Sequence, residues 1–166
     1  MPEQGIYMTT SVRDLQDDLI TKIGEILSET EFEKADGTVA TGATGYPQQL
    51  PKLVQDDETV DQFFPYYLVR IENGKTPSDN EPWDVVVDIL LGCFSDDYEN
   101  NGHLQILDMI KSITEYFQAY PLLNNKYRAL QDMEFALQDE DTYPYFFGGI
   151  EMKFWVARAQ REDEYS

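Results

Sequence analysis

Few residues of this chain have the types and spacing that chemistry needs. It holds one histidine, His103, and one cysteine, Cys93. A Ser-His-Asp or Cys-His nucleophile would have to use His103, because such sites need an imidazole to take the proton. His103 follows Gly102 at the expected start of a helix. The positive end of a helix dipole disfavours an imidazolium there, which makes a poor base. His103 therefore reads as a polar residue of a first helical turn. Cys93 stands late in an apolar strand pattern, and a small buried hydrophobe suits that place better than a reactive thiol.

Carboxylates are the remaining candidates. Asp96, Asp97, Glu99 and Asn100 form one group of oxygen ligands, and Asp139, Glu140 and Asp141 form another. Ca²⁺ takes such ligands, but neither group has the EF-hand spacing with its central glycine and terminal glutamate. Both read as solvated acidic turns. In a chain this acidic, two carboxylates can fall at glycosidase separation by chance. The motifs G-x-S-x-G, G-x-x-x-x-G-K-[ST], C-x-x-C and H-E-x-x-H do not occur. Gly37, Gly42 and Gly45 lack the spacing and strand–helix setting of a dinucleotide loop. The expectation is a protein that is not an enzyme, with no catalytic residue, no cofactor and no metal site.

Composition narrows the classes further. The chain has 166 residues, suited to one domain. Its 13% aromatic content exceeds what disordered chains carry, so an aromatic core is expected. The net charge of −20 argues against non-specific binding to nucleic acid or an anionic membrane, which needs clustered Lys and Arg. A single cysteine allows no intrachain disulfide and fits a reducing compartment. No basic stretch followed by an apolar run marks a signal peptide, and no apolar run approaches the roughly 20 residues of a membrane span. A cytosolic protein, or one in particles assembled there, is expected.

The elements that would position these residues follow from periodicity. Residues 1–9 and 160–166 read as flexible termini. Val12, Leu15, Leu19, Ile23, Ile26 and Leu27 fall at steps of three and four, which predicts an amphipathic helix from Thr10 or Ser11 to about Thr30. Residues 33–60 are punctuated by Gly and Pro. They read as a long loop and assembly arm, with a short extended piece at Lys52–Val54. Strands are expected at Phe63–Ile71 and Asp84–Phe94, joined by an extended hairpin loop. A second helix spans about Gly102 to Tyr120, with Leu104, Leu107, Ile110, Ile113 and Phe117 as its stripe, widened by Ile106 and Tyr116. Two more strands follow at Ala129–Leu137 and Tyr145–Ala159, with a bulge at Gly148-Gly149. The fold class is α+β: a mainly antiparallel sheet packed by two helices, in the order α-β-β-α-β-β. Aromatics gather at Phe63-Phe64, Tyr66-Tyr67 and Tyr143–Phe147, either as core or as interface.

In pattern and order the chain resembles the tail terminator (tail-completion) proteins of long-tailed bacteriophages. The resemblance runs through F-F-P-Y-Y-L-V-R-I-E-N-G (Phe63–Gly74) and W-D-V-V-V-D-I-L-L-G (Trp83–Gly92). It continues in D-D-Y-E-N-N-G-H-L (Asp96–Leu104) and Y-P-Y-F-F-G-G-I-E-M-K-F-W (Tyr143–Trp155), covering roughly Ser11 to Arg158. It implies a virion structural protein that forms a homo-oligomeric ring, typically of six subunits, on the last ring of the tail tube. Such a ring ends tube polymerisation and presents the surface that docks head–tail connector proteins. DNA passes through the lumen without sequence-specific contact, and no membrane is involved. Loops 33–60 and 72–82 would reach neighbours, and deleting residues 37–49 would leave a folded protein unable to assemble. Alternatives are a head–tail connector or other minor virion protein, an acidic DNA mimic, and an enzyme with paired carboxylates.

Overall fold

Ser11 starts the first helix as its composition requires. The Ser11 hydroxyl accepts from the Asp14 N–H at 3.1 Å, and the Asp14 carboxylate accepts from the Ser11 N–H at 3.3 Å. This reciprocal capping box opens helix α1 (Val12–Ile26). Leu15, Leu19, Ile23 and Leu27 of its stripe are fully buried. Each such burial stabilises the fold by about 1.5–3 kcal/mol. The computed structural model describes residues 11–55 and 58–158. Thr10 and the expected flexible termini, 1–9 and 160–166, lie outside the described residues.

After α1 come β1 (Glu31–Glu33) and β2 (Val39–Thr41), an antiparallel hairpin. Phe32 roots it in the core, while its tip at residues 35–39 is exposed. Next, β3 (Thr44–Pro47) pairs in parallel with β4 (Tyr66–Lys75). A 3₁₀ turn (Val60–Phe63) leads into β4, and β5 (Trp83–Phe94) returns antiparallel to it. Helix α2 (His103–Ala119) is followed by β6 (Leu122–Leu123), β7 (Tyr127–Ala129), β8 (Glu134–Leu137) and β9 (Tyr145–Val156). The sheet order is β3-β4-β5-β9-β7-β6, with β8 also on β9. The protein is thus α+β: among the described residues, two helices lie on a mixed, mostly antiparallel, curled sheet of seven strands, with the hairpin beside them. No described helix is long and apolar enough to cross a membrane.

Both helices pack on one face of the sheet. Val85, Val87, Ile89 and Leu91 alternate into that core with Ile150, Met152, Phe154 and Val156. Helix α2 buries Ile106, Met109, Ile110, Ile113 and Phe117, whereas Leu104 is half exposed. The buried stripe is therefore set by Ile106 and Met109 and turned away from Leu104. The other sheet face carries a smaller cluster of Phe64, Tyr66, Leu68 and Phe94. Phe64 sits 4.8 Å from the Tyr145 ring and 5.8 Å from the Phe147 ring, centre to centre. The clustered aromatics are thus mainly packing groups, and Tyr143 is the exposed exception.

Several expectations need correction. Segment 33–60 is not one long loop: it contains β2 and β3, and the extended piece lies at Thr44–Pro47 rather than Lys52–Val54. Pairing with β4 makes that short segment a strand, which its own pattern does not announce. The Gln48 side chain anchors it further, bonding Ile71 N–H and C=O at 3.0 Å each and Gln16 Nε2 at 2.8 Å. Deleting residues 37–49 would remove part of the sheet. Gly148-Gly149 is no bulge, since β5 and β9 pair without interruption from Trp83↔Val156 to Phe94↔Tyr145. The register shift lies in β4, between Ile71 and Asn73. Ala129–Leu137 is two strands, because the chain leaves the β9 ladder after the Leu130 N–H bonds the Lys153 carbonyl and rejoins it at Glu134.

Candidate functional site

Of the residues singled out for chemistry, the structure brings the two acidic turns together and buries Cys93. Cys93 is fully buried, its Sγ 3.8 Å from the Gly102 carbonyl, and burial pushes its thiol pKa up to about 12. It is a packing group. His103 is the first residue of α2 and only partly exposed.

The two acidic turns do come together. Asn100 Nδ2 donates to Asp141 Oδ1 at 3.5 Å, and the Tyr143 hydroxyl donates to the Asp96 carbonyl at 2.8 Å. Their carboxylates are used locally: Asp97 Oδ1 accepts from the Glu99 N–H, and Asp141 Oδ1 accepts from the Tyr143 N–H. These are turn-forming bonds of the Asx kind.

The concentrated site lies elsewhere, on the sheet face that the helices leave uncovered. Register sets Arg70 opposite Asp88, Asp88 opposite Glu151, and Glu151 opposite Glu134. Four strands thus contribute one transverse row of charge. At the register shift in β4, Glu72 joins the row: one carboxylate oxygen each of Glu72, Asp88 and Glu151 lie within 4.8 Å of one another. Burial, then the Glu72 carboxyl and the charge of Glu151, push Asp88 up to about 6, against the opposing pull of Arg70. A carboxyl beside like charges holds its proton more tightly.

Beside this row the curled sheet forms a trough of about 610 Å³, a size typical of ligand clefts. Its floor is low because Gly149 stands between Leu90 and Ala136 in the next transverse row. Phe147 closes one end, and Asp88, Glu151 and Glu134 stand at the other. Such a place can hold a proton, a cationic group or a hard cation. Sequence reading missed it. Asp88 and Glu151 were visible as outward-facing residues of two strands, but only pairing brings them together.

The fold and this trough define a two-layer α+β protein with an acidic, partly apolar sheet face. No protein-family model matches the chain, and no curated protein matches it.

Proposed function

We propose that this chain is a non-enzymatic virion structural protein of the tail terminator kind. Copies assemble into a ring that caps the tail tube, ends its polymerisation and offers the surface for head–tail connector proteins. The observation that supports this reading best is the element order. A first helix, an intervening segment, a strand pair, a second helix and further strands lie in the sequence that the resemblance implies. Two further features suit it. The hairpin β1–β2 is rooted by Phe32 and ends in an exposed tip, a shape that reaches a neighbour. The net charge of −20 suits a lumen through which DNA slides without adhering. A ring contact is heterologous and closes when the rotation per subunit allows it.

The test is mass in solution by light scattering behind a sizing column, over a range of concentrations, with negative-stain imaging. A closed oligomer with a central hole, or a monomer that binds the ends of purified tail tubes, is expected. A monomer that ignores tube ends sinks the reading. Binding to a head connector but not to tubes would replace it with a connector role.

A further inference from the structure

The trough on the uncovered sheet face lies beside an open strand edge. Among the described strands, β8 pairs with β9 alone. Gln138 N–H donates to the Phe147 carbonyl at 3.1 Å, continuing that ladder. In an antiparallel ladder bonded pairs alternate. Ala136 and Glu134 therefore also face β9, and the N–H and C=O groups of Phe135 and Leu137 point the other way. No described strand occupies that side. Phe135 is 61% exposed on the same edge, which lacks the lysine, proline or bulge that usually blunts one.

We infer that the β8 edge and the adjoining trough bind an extended segment of a partner protein that carries Arg or Lys at alternate positions. The open edge supplies main-chain hydrogen bonds, as in β-augmentation. Side chains of an added strand alternate between faces. One set falls on the face of Phe135, where apolar residues fit. The other falls on the trough, where Glu134 and Glu151 lie one and two strand spacings away, about 5 and 10 Å. Arg and Lys match the trough in both its parts. Their aliphatic stems lie over Ala136, Gly149 and Leu90, and their cationic heads meet the glutamates. A bare ion would leave that apolar floor unused. An acidic partner strand would meet like charge across the ladder. Arg70 sits at the far side of the row, opposite Asp88, and Glu134 and Glu151 are the carboxylates of the row nearest the open edge.

The inference goes beyond the ring reading and does not depend on it, because the site is complete within one chain. A fluorescently labelled peptide of alternating Arg and Val is titrated with the whole protein and followed by anisotropy. Saturable binding is expected. It should weaken about ten-fold or more in the Glu134→Gln/Glu151→Gln variant, the scale of losing close charge pairs. A control of equal charge loss, Glu115→Gln/Asp139→Asn, should change it little. A peptide N-methylated on alternate residues, unable to pair with the edge, should lose binding to a similar extent. Equal weakening by both double variants would reduce the effect to the general acidity of the chain and overturn the proposal. Undiminished binding of the N-methylated peptide, or of a peptide with Glu in place of Arg, would also overturn it. So would absence of binding together with self-association abolished by Phe135→Glu, which would give the edge to a second copy.

Discussion

The Tyr67 ring lies against Gly45, so that a Cβ on Gly45 would stand 2.4 Å from Cε2 and Cζ of the ring. The Tyr67 hydroxyl then donates to the Ile20 carbonyl at 2.5 Å. One side chain of β4 thereby ties β3 to α1. Gly45→Ala should cost about 1–3 kcal/mol, the usual range for overpacking a core. Tyr67→Phe should cost about 1 kcal/mol, the net worth of a single hydrogen bond. Urea denaturation of both variants checks this. If Gly45→Ala matches the wild type, β3 is not held in the sheet as described.

Helix α2 and β9 approach as closely at a second glycine. A Cβ on Gly148 would lie 2.5 Å from Cγ2 of Ile106. Gly148→Ala should destabilise the fold by about 1–3 kcal/mol. Ile106→Val removes only Cδ1 and keeps the crowding Cγ2 methyl, so it serves poorly as a rescue, and Ile106→Ala is the better partner. Alone it should cost about 2–5 kcal/mol through the cavity it leaves. In the double variant the two costs should fall short of additivity by about 0.5 kcal/mol or more. A double-mutant cycle from thermal or urea melts measures this, and strict additivity would separate the two sites.

The acidic row predicts a pH dependence. Asp88 titrates at about 6 in the folded protein against an ordinary value of 3.8. The folded state therefore holds a proton that the unfolded chain has released between these values. The stability this proton contributes is fully present below about pH 4 and lost as pH rises through 6. The groups facing Asp88 are Arg70 and Glu72 from β4 and Glu151 from β9. Asp88→Asn removes the penalty, so it should raise the melting temperature more at about pH 8 than at about pH 5. A shift of this size carries at most roughly 3 kcal/mol, and solvent screening at a partly open site reduces it. An Asp88→Asn variant with the same pH profile as the wild type would contradict the arrangement.

Cys93 should be inert in the native state. Its thiol is buried, and burial raises its pKa to about 12, so almost no thiolate exists at neutral pH. A disulfide thiol reagent should react at the rate of unfolding and immediately in strong denaturant. Fast labelling of the folded protein would place Cys93 nearer the surface.

Three elements were readable from the chain because each carries a complete local period. The α1 stripe with its Ser11 cap, the α2 stripe and the alternation of β5 all follow from neighbours in sequence. Strand β3 was not readable. Thr44–Pro47 is four residues with a glycine and a proline, and it becomes a strand only where β4 offers its edge and Tyr67 needs Gly45 beneath it. The hairpin β1–β2 is as short, and burial of Phe32 roots it in the core.

By itself, the sequence determined the α+β class, the buried face of α1 and much of that of α2, the acidity and the buried place of Cys93. These depend on composition and on periods of two or 3.6 residues, which a single chain displays. Only the tertiary structure decided that Arg70, Asp88, Glu151 and Glu134 form one row, that Gly149 lowers a trough beside it, and that β8 keeps an open edge. Register between strands distant in sequence sets all three, and a slip of one residue would send each of these side chains to the opposite face.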